Sequence, residues 1–473
     1  MSQPASRLLQ LPDTCLQEVL QFCADDPRSL FSAARAHSRL HHVAALAASS
    51  ITAVVEMQTR LKDVRQYLSS QGKHVSSLNL SSSRRESVNI QHLPHKKLRG
   101  LSSLSFSKLG LLLNPQKGVP NVFGSGACLK RLQLHHCELL EKGRGLAAAL
   151  VAALSARPEL QHLSIVMRLS SMEFPSRVLE VLQQLTYLEL GGMQLKTRDA
   201  MRHLYALPRL QELRLERVQT AEAVQASGVS GLQHLSVLKL DRTWDRRLWL
   251  GVLAGIPRLQ HLDVSEHRVA GLAEFLSHVG NLQQLTYLNL SNMLQCWPPP
   301  AYAALTASSK LQHLDIKCAL PADVWQHIFP AGWQLPHLQT LLISARSWPN
   351  HVATALDGNL LVSCCPGLRS LSMEHVVCSA ELLAPLTGLS SLHELTLVPA
   401  RADGGATEGL EAACLLKGLT GVVRQLTRLK QLNVRKGGPD DSLLLQLKQL
   451  PQLTRVSFAY GHCGGRTFTA VSF

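Results

Sequence analysis

Aromatic rings, acidic residues and patterned cysteines are all in short supply in this chain. Of 473 residues, 5% are aromatic and 17% charged, against 45% hydrophobic. With so few rings, aliphatic side chains must fill the interior. The eleven cysteines are odd in number, show no C-x-x-C spacing and cluster no closer than Cys364-Cys365. That argues against a disulfide framework and for a reduced, cytoplasmic compartment, with the nucleus or cytoskeleton also open. Long hydrophobic runs are missing too. The longest, Leu146–Leu154, is half a membrane span at best, so no transmembrane helix and no membrane partner are expected. Asp13, Gln17 and Glu18 break the apolar residues near the start, which excludes a signal peptide there.

Chemical motifs are equally thin. G-x-S-x-G, Walker and H-E-x-x-H patterns do not occur. Gly143-Arg144-Gly145-Leu146-Ala147-Ala148 fits a dinucleotide fingerprint between a strand and a helix, but no acidic residue ends a following strand about twenty residues on. His37 and His41 have the i, i+4 spacing of metal ligands on a helix, without a Cys or carboxylate cluster to complete a site. His135, His136 and Cys137 alternate along a strand, so at most two face one way. The chain therefore reads as non-catalytic, with no cofactor and no metal.

What is abundant is leucine in one frame. L-x-x-L-x-L, with other aliphatics or Phe at some of its apolar positions, starts fifteen times between Val75 and Leu453, mostly 24–31 residues apart. Leu259-Gln260-His261-Leu262-Asp263-Val264, Leu285-Thr286-Tyr287-Leu288-Asn289-Leu290 and Leu311-Gln312-His313-Leu314-Asp315-Ile316 are typical. Apolar positions 1, 4 and 6 with polar residues between them make a short strand with one buried face. Leu272, Phe275, Leu276 and Val279 then mark one face of a helix. One strand and one helix cannot bury a core alone, so neighbours must stack. The pattern resembles the leucine-rich repeat family, whose period is 20–29 residues. The resemblance implies an α/β fold: a curved solenoid over residues 51–473, with parallel strands on the concave face, helices on the convex face and capping segments at both ends. Cys137 fits the polar ladder position of that family, whereas Arg168, Met193, Val218, His267 and Met293 do not.

Residues 8–50 leave the frame and read as three short helices. Leu16, Val19 and Leu20 face inward on the first, Leu30, Ala33 and Ala34 on the second, and Leu40, Val43 and Ala44 on the third. Leu11-Pro12-Asp13, Glu18-Val19-Leu20, Asp26-Pro27-Arg28-Ser29-Leu30 and Ser38-Arg39-Leu40 resemble the F-box. The resemblance implies docking to the adaptor subunit of an SCF-type ubiquitin ligase, with the repeats holding a protein target. Leu11, Pro12, Val19, Leu20, Leu30 and Leu40 would supply apolar contacts, some to the adaptor and some to the bundle itself. The alternative is an interaction scaffold, for instance a cytoskeletal one, whose N-terminus is only a cap.

The net charge is +15, and residues 1–50 contribute none of it. The surplus fits an acidic partner, although dispersed solvated charge is the plainer reading; nucleic acid is the weakest of the partner readings. The third frame position supplies a row: His162, Tyr187, Glu212, Val237, His261, Tyr287 and His313. Neighbours in such a row project about 4.8 Å apart. With Arg214, Arg217, Lys239 and Arg242 beside it, this row is the expected surface for a partly acidic target on the concave face. The Pro399–Gly409 segment reads as a flexible loop and is the next candidate.

Overall fold

In the computed structural model the described residues are 8–22, 27–47, 49–55, 58–83, 87–89, 93–112, 128–139, 145–167, 173–195, 198–220, 232–242, 253, 255–265, 272–292, 299–317, 320, 324–344, 356–376, 380–399, 419, 421–435, 447, 449–462 and 465–472. They pack as two compact units, Met1–Leu235 and Ser236–Phe473.

The first unit begins with helices α1 (Asp13–Gln21), α2 (Pro27–Ala36) and α3 (Ser38–Ala47). Leu16, Leu20, Leu30, Leu40 and Val43 close their core. Val19 does not face inward: it is 44% exposed. His37 falls between α2 and α3, where its Nδ1 accepts the Arg39 amide at 3.1 Å. It caps the start of α3 and so does not share a helix with residue 41. Helix α2 packs on α4 (Gln58–Gln71), and the Tyr67 hydroxyl on α4 donates to the Ala44 carbonyl. A bundle of this size gains a neighbour that way.

Strands β1 (Ser50–Val54), β2 (Ser77–Ser81), β4 (Ser103–Ser107), β6 (Arg131–Leu139), β7 (His162–Met167), β8 (Tyr187–Gly191) and β10 (Glu212–Glu216) form one parallel ladder. Short strands β3 (Ser87–Asn89) and β5 (Gly110–Leu112) make a side ladder that reaches β6, and β9 (Gln194–Leu195) pairs with β11 (Gln219–Thr220). Helices α5 (Gly145–Ser155) and α6 (Arg198–Tyr205) return the chain. Gly145 opens α5, while residues 143 and 144 of the apparent dinucleotide fingerprint lie outside the described residues.

The second unit repeats the plan. Strands β12 (Val237–Asp241), β13 (His261–Asp263), β14 (Tyr287–Asn289), β15 (His313–Ile316), β16 (Thr340–Ser344), β17 (Ser370–Val376), β18 (Glu394–Pro399), β19 (Gln431–Arg435) and β20 (Arg455–His462) pair in parallel. The last strand, β21 (Gly465–Ser472), turns back antiparallel on β20. Helix α7 (Leu272–Val279) and several short helical turns lie between strands, and helical segments of neighbouring repeats pack on one another.

Each of the fifteen frames carries a strand, and the fourth frame positions stand opposite each other. Leu78, Leu104, Leu132, Leu163, Leu188 and Leu213 do so in the first unit, all buried. Leu262, Leu288 and Leu314 do so in the second, also buried. Burial alternates along β2, β4 and β10, which is the period-2 signal the frame predicts. At the ladder position where a polar residue is common, Met193 and Val218 are buried apolar side chains, so aliphatic packing replaces side-chain hydrogen bonds there. Cys137 is buried with its thiol 3.4 Å from the Phe106 carbonyl. The five described cysteines, Cys364 and Cys365 among them, are all free. Among the described residues no helix is long and apolar enough to cross a membrane.

Candidate functional site

Two surfaces gather the predicted site residues: the outward strand face of each unit, and the outer side of α1. The third-position row forms in register within each unit. In the first, Arg131, His162, Tyr187 and Glu212 stand side by side. In the second, Val237, His261, Tyr287 and His313 do. Tyr187 and Tyr287 belong to different units and are described separately.

The strand spacing brings these rings into face-to-face contact. His162 and Tyr187 stack at 3.9 Å with planes 7° apart. The Arg214 guanidinium lies 5.4 Å from the Tyr187 centroid, within cation–π range. In the second unit, Tyr287 is sandwiched between His261 at 3.8 Å and His313 at 4.2 Å. Stacked pairs of this kind add about 0.5–1.5 kcal/mol beyond area burial. The stacks therefore cover both faces of Tyr287 and one face each of His162, Tyr187, His261 and His313.

The fifth frame position completes the face, and sequence reasoning passed over it. In the first unit Ser164 is fully buried. Its hydroxyl donates to Glu189 Oε2 at 2.5 Å and accepts from His135 Nε2 at 2.7 Å. Tyr187 donates to the same Glu189 oxygen at 2.9 Å. The Gln133 amide donates to His162 Nε2 at 3.0 Å. Burial first, then Arg131, holds the His162 pKa down at about 4, so the ring is a neutral acceptor at neutral pH. Burial and the Glu189 carboxylate push the Tyr187 hydroxyl well above its usual range, and it stays a donor.

Ser164, His135 and Glu189 are a serine, a histidine and an acid, but not in the order nucleophilic catalysis needs. A catalytic serine gives its proton to an imidazole whose far nitrogen is held by the acid. Here Ser164 gives its proton to the acid directly, and Glu189 lies 3.7 Å from the same His135 Nε2 that faces the serine. Among the described residues no group of three or more His, Cys, Asp or Glu is placed to hold a metal. His136 is exposed beside half-buried His135 and buried Cys137, because the strand bulges there and His136 takes φ +52°.

In the second unit the fifth position carries Lys239, Asp263, Asn289 and Asp315. Asp263, Asn289 and Asp315 each accept the amide two residues on, from Ser265, Ser291 and Lys317, at 2.9–3.2 Å. These side chains close the strand ends as Asx turns. Burial raises the Asp315 pKa to about 6; the Lys317 amide and ammonium oppose that, while Glu374 and Asp263 add to it. An acid with a raised folded-state pKa binds its proton more readily folded than unfolded. Stability therefore falls as pH rises from about 4 to 6, where only the folded form is protonated. Asp315→Asn keeps the turn acceptor, as Asn289 shows next door. It is expected to raise the melting temperature at pH 7.5, by about 2–4 °C per kcal/mol recovered, and to leave it unchanged at pH 4. Thermal melts at the two pH values check this.

The basic flank is largely spent on local acids. Arg214 is 2.6 Å from Glu212, Arg217 pairs with Glu216, and Arg242 lies 3.9 Å from Asp241. The partners alternate in sign along single strands, which net charge alone cannot reveal. Lys239, the fourth flanking cation, has no ion-pair partner among the described residues.

On α1, the predicted adaptor set divides. Leu20, Leu30 and Leu40 are buried in the bundle core and cannot meet a partner. Leu11 and Val19 are 37% and 44% exposed, and Pro12 is exposed. Leu8 and Phe22, which the sequence did not single out, join them, Phe22 at 90% exposure. Arg39 fixes the Leu11-Pro12 corner. It pairs with Asp13 at 2.6 Å, donates to the Leu11 carbonyl at 2.7 Å and also reaches the Leu9 carbonyl. Residues 400–409 of the candidate loop lie outside the described residues.

No protein-family model and no curated protein matches the sequence. Solved structures do resemble the fold. A leucine-rich repeat protein of Leptospira interrogans superposes with a TM-score of 0.54 over 86% of this chain and 90% of its own, at 18% identity. An internalin of Listeria monocytogenes gives 0.42 over 78% of this chain and 84% of its own, at 15% identity. The long open ladder of parallel strands, the L-x-x-L-x-L register and the first of these likenesses agree: the chain has the leucine-rich repeat solenoid fold.

Proposed function

We propose that the chain is a non-catalytic recognition subunit of an SCF-type ubiquitin ligase, its N-terminal bundle docking to the adaptor and its repeats holding a protein target. The observation that carries this reading is the apolar outer side of α1. Leu16 and Leu20 fill the bundle core, yet Leu8, Leu11, Val19 and Phe22 remain exposed, and Arg39 fixes the Leu11-Pro12 corner at the start of α1. A cap needs a polar outer face; a docking helix needs apolar anchors that are already in position. Function on this reading is effective concentration of a target near the ligase, and the compartment is cytoplasmic or nuclear. The scaffold reading rests on the contact of α2 with α4, which any cap would also make.

Purified full-length chain is expected to capture the adaptor at micromolar concentration. Phe22→Asp should abolish capture and leave the melting temperature unchanged, since that side chain is 90% exposed. If the intact chain captures no adaptor, the bundle is a cap and the scaffold reading stands.

A further inference from the structure

The early repeats of the first unit carry most of the chain's positive surplus. Between residues 64 and 137 the sequence has eleven Lys or Arg and one acid, Glu86, a local excess of ten against fifteen for the whole chain. The strand face they surround is lined by small polar side chains. Its third and fifth positions on β2 and β4 are Ser77, Asn79, Ser103 and Ser105, all half-buried and side by side in register. No side chain larger than Asn stands there. Next along the ladder, Arg131 and Gln133 on β6 rise beside Ser103 and Ser105.

Cations mark both ends of this shallow floor. Gly72 packs against the Cβ of Lys97 and Gly100 against the Lys73 carbonyl, which brings Lys73, Lys97 and Arg99 to one end. Lys130 and Arg131 start β6 at that same end, where the Lys130 amide donates to the Ser102 carbonyl. Lys108 follows β4 at the other end. All six are exposed, and among the described residues none has an ion-pair partner. Glu189 and Glu212 in the first unit, and Asp263 and Asp315 in the second, put acidic side chains on the faces of later strands.

We propose that the strand face of β2, β4 and β6 binds a phosphorylated, acidic segment of a partner protein. The proposal rests on the target-binding half of the function above and not on adaptor docking. Phosphate oxygens take charge-assisted hydrogen bonds from Arg and Lys and further bonds from hydroxyls, and this face offers both within one strand spacing of each other. Single-stranded nucleic acid fits less well. Its sequence-tolerant affinity comes from bases stacking on open rings; β2 and β4 present none at these positions, and the rings of His162 and Tyr187 cover each other.

Fluorescence anisotropy of the full-length chain tests this at physiological ionic strength. The probes are a labelled ten-residue peptide of alternating phosphoserine and glycine, its unphosphorylated counterpart, and an oligouridylate of equal charge. The phosphopeptide should bind and the unphosphorylated peptide should not. Lys130→Glu with Arg131→Glu should weaken binding at least about tenfold. Lys97→Glu with Arg99→Glu, at the same end, should do likewise. The control pair Arg258→Glu with Lys310→Glu changes net charge equally on the second unit and should bind as wild type does; thermal melts confirm that all three variants fold. No phosphopeptide binding, equal loss in the control pair, equal binding of the unphosphorylated peptide, or tighter binding of the oligouridylate each overturns the proposal. Adaptor capture by the same preparation reads the bundle separately, so failure of one leaves the other measured.

Discussion

Leu262→Ala and Leu288→Ala are each expected to cost about 2–5 kcal/mol of unfolding free energy in the second unit. Both side chains are 0% exposed and stand opposite each other on β13 and β14. Each fills the space between two repeats, so truncation leaves a cavity bounded by neighbouring strands that the ladder holds at fixed spacing. In a stacked array, stability is the sum of repeat and nearest-neighbour terms, and a loss in mid-array weakens two interfaces at once. Leu8→Ala is the control. Leu8 is 43% exposed, and its loss should stay within about 0.5 kcal/mol. Urea unfolding followed by circular dichroism measures all three. Equal losses at the three positions would contradict the register.

That register was legible because one rule repeats. A strand with period-2 burial and a fixed L-x-x-L-x-L frame leaves a single face for leucine, and fifteen copies of the frame remove the ambiguity of any one. The third-position row follows from the same rule, and His162–Tyr187 and His261–Tyr287–His313 stack as neighbours in such a row can. What stayed hidden depends on contacts between residues about 25 apart. Ser164 looks like any polar strand residue until Glu189 and His135, one strand away on either side, enclose its hydroxyl. Asp315 looks like a solvated acid until burial raises its pKa. Arg214, Arg217 and Arg242 read as free positive charge because net charge is a sum, whereas Glu212, Glu216 and Asp241 cancel them locally.

The N-terminal segment shows the same limit at shorter range. Helical spacing identified apolar residues in α1 to α3, and it puts Leu16, Val19 and Leu20 on one i, i+3, i+4 stripe. Only packing decides that Leu20 goes in and Val19 stays out. Phe22 escaped notice because it lies one residue beyond α1, as its C-cap, outside the helical pattern. Its exposure is what turns a list of six candidate contacts into a surface with an inside and an outside.

Gly192→Ala is expected to be among the most damaging single-methyl additions in the first unit, above about 3 kcal/mol. Gly192 follows β8 with φ +65°, and its amide donates to the Glu216 carbonyl at 2.8 Å. A Cβ there would come 2.2 Å from the Met167 carbonyl oxygen. That oxygen is backbone at the end of β7 and cannot rotate aside as a side chain would. Gly332→Ala isolates the other part of the cost. Gly332 has φ +79° but nothing within 4 Å of its Cβ position, so only the left-handed conformation is penalised, at about 1 kcal/mol. The excess at Gly192 is therefore the close approach of β7 to the turn after β8, next to the Val166–Gly191 pair that ends their ladder. Those strands carry His162 and Tyr187, and separating them by even part of an ångström opens a stack whose rings sit 3.9 Å apart. Urea unfolding of the two variants should show a loss at Gly192 more than twice that at Gly332, together with a changed tyrosine near-ultraviolet signal for Gly192→Ala alone. Equal losses with an unchanged signal would mean that the β7–β8 ends do not meet this closely, and that the stack is held by the rings themselves.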